Sequence, residues 1–140
     1  NESALKLSGA ANYVENAQAA IKEMYRQVGN LVTDDNGIAE RGLIVRHLIL
    51  PERLSGSREV LKWLAEELSP EVTISLMSQY HPMHRAFEVP SISRSITQEE
   101  YDEVFDMLNE LGMENGWVQQ MEAQELYLPD FERPGHPFNK

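Results

Sequence analysis

Two short segments contain the side chains best suited to bind or transform a ligand. In the first, "SQYHPMHRAF", His81 and His84 lie three residues apart. Histidines at that spacing can bind a metal ion if they share one face of a helix. Pro82 lies between them and disfavours a helix that continues through His81. No carboxylate occurs in this region before Glu88. We therefore interpret both histidines as loop residues and predict no metal site.

The second segment, "RGLIVRHLILP", places polar residues inside an apolar strand. Arg46 and His47 stand as two adjacent cations among leucine, isoleucine and valine. Because side chains alternate along a strand, Arg46 shares a face with Ile44 and Leu48. An unpaired charge in a buried strand is very costly. The sequence therefore predicts an anionic partner for Arg46.

Composition excludes several classes of function. The chain of 140 residues carries 12 Lys and Arg against 23 Asp and Glu, a net charge of −11. This acidic balance argues against a nucleic-acid-binding face. No apolar run approaches the roughly 20 residues of a membrane helix, and the first residues lack the apolar core of a signal peptide. We therefore expect a cytoplasmic protein without membrane contact. Cysteine is absent, which removes disulfides and thiolate metal sites from this chain.

Helical and strand patterns alternate along the chain. The predicted crossover helix follows a loop in which Ser55 or Ser57 is a candidate cap. Thr97 and Glu100 form a capping-box pattern for the next helix. The predicted elements are a helix over 11–30, a hairpin around Asn36-Gly37, strand Leu43–Leu50, helix Ser57–Leu68, strand Val72–Gln79, a helix from Thr97 to Gly112, strand Trp117–Met121 and an irregular tail, "PDFERPGHPFNK".

This alternation indicates an α/β fold with parallel strands joined by crossover helices. One face of the second strand carries Thr73, Ser75, Met77 and Gln79, which is half polar. A parallel strand packed on both sides is normally apolar on both faces. Two interpretations fit this pattern: a lined cavity near the carboxyl ends of the strands, or a partly solvated edge strand. The order of elements does not distinguish an open sheet from a barrel.

Two motifs resemble a known family. "LIVRHLILP", followed by a loop and helix, and then "LMSQYH", is similar in order and spacing to the C-terminal half of radical S-adenosylmethionine proteins. The resemblance is strongest to the pyruvate formate-lyase activating enzymes and their uncharacterised iron–sulfur relatives. It covers residues 1–112, and residues 113–140 form a strand-like segment and tail that resemble only the uncharacterised relatives.

The resemblance implies a specific fold and chemistry. The family folds as a partial (β/α)6 TIM barrel and binds a [4Fe–4S] cluster through a C-x-x-x-C-x-x-C motif. The cluster reductively cleaves S-adenosylmethionine, and the resulting radical abstracts a hydrogen atom, in activating enzymes from a glycyl-radical enzyme. This chain has no cysteine and starts about where the fourth barrel strand would end. We therefore expect a domain fragment of an oxidoreductase that is inactive alone and self-associates through its cut sheet.

The resemblance also implies roles for particular residues. Arg46 would point into the barrel lumen, where its guanidinium suits a carboxylate of the cofactor or substrate; the alternative is a salt bridge to a local glutamate. His81 would contact the adenosyl group, and Gln79 and Met77 would line the lumen. His84 stays a loop residue. The alternative function is a free-standing α/β binding or interaction domain without catalysis.

Overall fold

Helices and strands alternate along residues 1–119 and 121, which are the residues that this computed structural model describes. The predicted irregular tail, residues 129–140, lies outside them. The elements in chain order are α1 (Glu2–Ser8), α2 (Tyr13–Val28), β1 (Val32–Thr33), β2 (Ala39–Arg41), β3 (Ile44–Leu48), α3 (Ser57–Glu67), β4 (Thr73–Met77), α4 (Gln98–Glu110) and β5 (Gly116–Val118), with single 3-10 turns at Pro51–Arg53, His84–Glu88 and Pro90–Ile92.

The central element is a three-stranded parallel sheet in the order β3-β4-β5. In the register of β3 and β4, Ile44 pairs with Thr73 and Leu48 pairs with Met77. Helix α3 connects these two strands, so the predicted parallel pairing with this helix as the crossover is confirmed. In the register of β4 and β5, Ser75 pairs with Trp117. The described residues thus form an open α/β sheet without a closed barrel.

Helices α3 and α4 cover one face of the sheet. On this side Ile74 and Leu76 of β4 are buried, and they belong to one apolar cluster with residues of both helices. The helix residues of that cluster are spaced three or four apart, as expected for the inner stripe of an amphipathic helix. They are Leu61 and Leu64 in α3 and Tyr101, Val104, Met107 and Leu108 in α4.

The two sheet-covering helices begin differently. Helix α4 starts at the predicted capping box, in which the Glu100 amide donates to Thr97 Oγ1 at 3.3 Å and the Thr97 amide donates to the Glu100 carboxylate at 2.9 Å. Helix α3 has Gly56 at its N-cap and no side-chain cap. The prediction that Ser55 or Ser57 caps α3 is wrong, because the Ser57 hydroxyl instead lies 2.8 Å from the buried His47 ring.

The segment before the sheet contains a helix pair and a hairpin. Strands β1 and β2 are antiparallel, which confirms the hairpin predicted from Asn36-Gly37. The turn is closed by Asp34, whose Oδ1 accepts bonds from the amides of Asn36 and Ile38 at 2.9 and 2.8 Å. The sequence did not predict α1. No helix in the described part of the chain is long and apolar enough to cross a bilayer.

Candidate functional site

The sheet surface opposite α3 and α4 carries most of the predicted site residues, and we call it the open face. By register and alternation it is formed by Ile44, Arg46 and Leu48 of β3, Thr73, Ser75 and Met77 of β4, and Trp117 of β5. Ile44 is 38% exposed and Leu48 is 36% exposed. Apolar side chains on both faces are typical of a parallel strand that is covered on both sides. On β4, Thr73 and Met77 of the same face are 5% and 9% exposed, so the face is open mainly along β3 and at Trp117.

Arg46 is the middle residue of β3, an edge strand of the described sheet. Its side chain is exposed, so the assumption that it occupies a buried strand is wrong. It makes no hydrogen bond or ion pair with any described residue, including the local glutamates. Solvent hydrates the guanidinium, which removes the cost that made a partner necessary. A guanidinium left free on a largely apolar surface is available to a carboxylate or phosphate group.

Met77 and Gln79 lie toward the carboxyl end of β4. Met77 belongs to the open face and is buried. Gln79 is half-buried, and its Oε1 accepts a 3.1 Å hydrogen bond from Nε2 of Gln119. Gln119 follows β5, and its own Oε1 is buried without a partner among the described residues. The sequence analysis missed Gln119, although alternation from Trp117 along "WVQ" places it on the same side of β5.

His81 and His84 occupy the loop that follows β4. Both rings are exposed, and neither forms a hydrogen bond with the described residues. The loop is held by Tyr80, whose hydroxyl donates to the Ile92 carbonyl at 2.7 Å. The described residues contain no group of three or more His, Cys, Asp or Glu positioned to hold a metal ion. The structure therefore brings Arg46 and Met77 to one face with Gln79 near its rim, and leaves His81 on a separate loop.

His47 lies on the opposite side of β3 from Arg46. Its Nε2 is 2.8 Å from Ser57 Oγ, which is 2.9 Å from Ser55 Oγ. Ser55 Oγ in turn accepts a 3.3 Å bond from the Leu50 amide. Burial lowers the pKa of His47 to about 4, so the ring is neutral at pH 7. The description of Arg46 and His47 as two adjacent cations is therefore wrong. This network fixes the loop between β3 and α3.

A cleft of about 310 Å³ lies on the helix side, between the β3–α3 loop and α4. Arg53 projects into it and forms a 2.9 Å ion pair with Glu103. The cleft contains none of Arg46, Met77, Gln79 and His81. It is therefore separate from the candidate site on the open face.

Comparison with known proteins adds one similarity. Over 78 residues the chain is 28% identical to an uncharacterized protein of Methanocaldococcus jannaschii. The aligned part is 55% of this chain and 23% of that protein, so the chain spans less than a quarter of the relative's length. No protein-family model matches the chain, and no solved structure matches it.

Proposed function

We propose that this chain is part of a radical S-adenosylmethionine enzyme, of the kind that cleaves the cofactor reductively to abstract a hydrogen atom. The observation that carries the proposal is Arg46, an exposed guanidinium on the open face of a parallel sheet that makes no hydrogen bond or ion pair with the described residues. The motifs around it, "LIVRHLILP" and "LMSQYH", are those that resemble the pyruvate formate-lyase activating enzymes.

The arrangement of the sheet and its helices supports the proposal that β3, β4 and β5 form part of the wall of a barrel. In a (β/α) barrel, helices cover the outer face of parallel strands, and the inner face is covered by strands from the other side. Here α3 and α4 cover one face, while the other exposes Ile44, Leu48 and Trp117. In the proposed enzyme, additional strands complete a partial (β/α)6 barrel over this face. The relative of which only 23% is aligned is long enough to contain such strands.

The iron–sulfur cluster does not fit this chain. A [4Fe–4S] cluster is held by cysteine thiolates, and the chain contains no cysteine. A C-x-x-x-C-x-x-C motif elsewhere in the complete protein would have to hold it. We therefore assign no step at the cluster to the residues described above.

S-adenosylmethionine fits the open face better. Its carboxylate suits the planar fork of Arg46, and ligands of parallel α/β folds bind at the carboxyl ends of the strands. Met77, which is buried, lies in the sheet toward this end, and the half-buried Gln79 lies close to it with a primary amide. His81, on the loop beyond β4, would reach the adenosyl group. In this proposal these residues orient the cofactor, and a glycyl-radical enzyme or another protein donates the hydrogen atom.

The test uses the gene product that contains this chain together with its upstream sequence. A C-x-x-x-C-x-x-C motif roughly a hundred residues before Asn1 is expected. After anaerobic reconstitution and reduction, that protein should show iron–sulfur absorbance and release 5′-deoxyadenosine from S-adenosylmethionine. Arg46→Met should raise the KM for S-adenosylmethionine at least tenfold, as expected for the loss of a charge-assisted bidentate contact.

The matched control is Arg58→Met in α3. Arg58 is also exposed and without a described ion pair, but it lies on the helix side of the sheet. This variant should keep the wild-type KM. An upstream sequence without the cysteine motif, or a reconstituted protein that cleaves no S-adenosylmethionine, would contradict the proposal and favour a binding or interaction domain.

A further inference from the structure

We infer that Trp117 is a ligand-binding residue, which stacks on the aromatic ring of the same molecule whose carboxylate binds Arg46. This inference rests on the proposed function and extends it to a residue that the family resemblance did not assign. The ligand class is a heteroaromatic ring joined to a carboxylate, as in S-adenosylmethionine.

The sheet register aligns three different chemical groups in one row. Arg46 pairs with Ser75, and Ser75 pairs with Trp117. Registered neighbours point to the same face of a sheet. Strands lie about 4.8 Å apart, so a cation and an aromatic ring start from backbones about 10 Å apart, with a hydroxyl between them. A ligand with an anionic end and a planar end can contact both.

Trp117 is exposed although its backbone is fixed. The Ile74 amide donates to the Asn115 carbonyl at 3.0 Å, and the Gln119 amide donates to the Leu76 carbonyl at 3.1 Å. These two bonds hold β5 on either side of Trp117. The side chain is nevertheless 55% exposed and has no ring or cation contact with the described residues. The indole of Trp117 therefore lies exposed on the open face while its backbone is held by the sheet.

The other tryptophan is an internal contrast. Trp63 in α3 packs against the apolar core, and the Lys22 ammonium lies 5.8 Å from its ring centroid. Partial burial against the core and a cation contact account for Trp63. Neither accounts for Trp117. Aromatic faces bind nucleobases by stacking with little dependence on base identity. Arg46 on the same row, which has no ion pair with the described residues, selects ligands that also carry an anion.

The test measures binding of S-adenosylhomocysteine, which has the ring and the carboxylate but is not cleaved. The two halves of S-adenosylmethionine are tested separately as 5′-deoxyadenosine and L-methionine. Isothermal titration calorimetry on the full chain should show that S-adenosylhomocysteine binds more tightly than either half. In Trp63→Phe, where Trp117 is the remaining tryptophan, S-adenosylhomocysteine should quench the fluorescence.

Three variants separate the two contacts. Trp117→Leu should weaken the binding of S-adenosylhomocysteine and of 5′-deoxyadenosine about tenfold, which is the order expected for one lost stacking contact. Trp117→Phe should lose less, because it keeps an aromatic face. Arg46→Met should weaken the binding of S-adenosylhomocysteine and leave the affinity for 5′-deoxyadenosine unchanged. Protection of the Ile74 amide from hydrogen exchange verifies that β5 remains paired in each variant.

The outcomes distinguish this inference from the proposed function. If Arg46→Met weakens binding and Trp117→Leu does not, the inference is wrong and the proposed function stands. If only Trp117→Leu weakens binding, the aromatic contact stands and the carboxylate role of Arg46 is wrong. No binding of S-adenosylhomocysteine at millimolar concentration would overturn both assignments. Weaker binding at higher protein concentration would support this placement, because self-association through the open face competes with the ligand for the same surface.

Discussion

At the scale of single residues, one peptide unit separates two opposite environments. Arg46 is exposed on the open face, whereas the adjacent His47 is buried against α3 and bonded to Ser57. Alternation along a strand predicts that adjacent residues point in opposite directions. It does not reveal which face is covered, because both faces of β3 carry apolar residues. The sequence therefore identified Arg46 as unusual, whereas its expectation of a buried strand does not match the exposed side chain.

The buried imidazole of His47 predicts a specific pH dependence of stability. Burial lowers its pKa from 6.5 to about 4, so the unfolded chain takes up a proton at a higher pH than the folded chain does. The unfolded state then binds more protons, and the free energy of unfolding falls as the pH falls from 6.5 to 4. The loss should approach roughly 3 kcal/mol. Urea unfolding at several pH values measures it.

His47→Gln is the matched control, since glutamine keeps a polar atom for Ser57 and does not titrate. This variant should show little change in stability between pH 6.5 and 4. Glu100, whose pKa is lowered to about 2 chiefly by its hydrogen bonds to Arg94, should cause a further loss only below about pH 4.5 in both proteins. A wild-type stability that stays constant down to pH 4 would contradict the role of His47.

At the scale of elements, the attachment of β5 depends on one glycine. A Cβ atom on Gly116 would lie 1.8 Å from the Ile74 carbonyl oxygen, and the residue has a φ of +146°. Gly116→Ala should therefore separate β5 from β4. The Ile74 amide, which donates to Asn115, should lose its protection from hydrogen exchange. The Ile49 amide, which donates to Met77 in the β3–β4 pair, should keep its protection.

Gly112→Ala provides the comparison for that variant. Gly112 also has a positive φ, +67°, but no atom lies within 4 Å of the Cβ position. This change should cost about 1 kcal/mol of stability through backbone strain alone. It should leave the Ile74 amide protected. Equal loss of protection in both variants would mean that the contact at Gly116 is not what fixes β5.

The start of α4 gives a second test at this scale. Thr97→Ala removes the acceptor of the Glu100 amide, and the expected loss in the free energy of unfolding is about 1 kcal/mol. Thr97→Ser retains the hydroxyl and should lose much less. Chemical denaturation of the three proteins measures the difference. A Thr97→Ser loss as large as that of Thr97→Ala would show that the methyl group matters more than the cap.

The elements were more predictable from sequence than their surroundings. Alternating apolar patterns and the Thr97–Glu100 capping box identified the main strands and α4, because these signals are local. Helix α1 was missed since its seven residues provide too short a pattern. The hydrogen bonds of Ser57 and Gln119 were not predicted, because the partner of each lies elsewhere in the sequence. Ser57 bonds to His47, and Gln119 bonds to Gln79.

At the scale of the whole molecule, the open face is a surface for association. Ile44, Leu48 and Trp117 leave apolar area uncovered, and β3 has one unpaired edge within the described residues. Exposed strand edges and apolar patches favour contact with other chains. We predict that the chain forms a dimer at high micromolar concentration and moderate salt. Sedimentation velocity measures this equilibrium.

Leu48→Glu should weaken the dimer, because it introduces a charge on the open face. Leu5→Glu is the control, since Leu5 is also exposed but belongs to α1 and not to the sheet. Leu48→Glu should raise the dissociation constant of the dimer, whereas Leu5→Glu should leave it close to the wild-type value. A compact wild-type monomer at high micromolar concentration would contradict the prediction.

The strand order β3-β4-β5 follows the order of synthesis, and this has a consequence for how the protein is made. The unit of β3, α3 and β4 lies within residues 44–77, whereas β5 begins at Gly116. At about 5 to 20 residues per second, a ribosome needs roughly 2 to 8 seconds to translate the chain between them. During that interval β5 is not available to pair with β4, so a β3–α3–β4 unit formed then has β4 as an edge strand, and unpaired edges can template pairing with other chains.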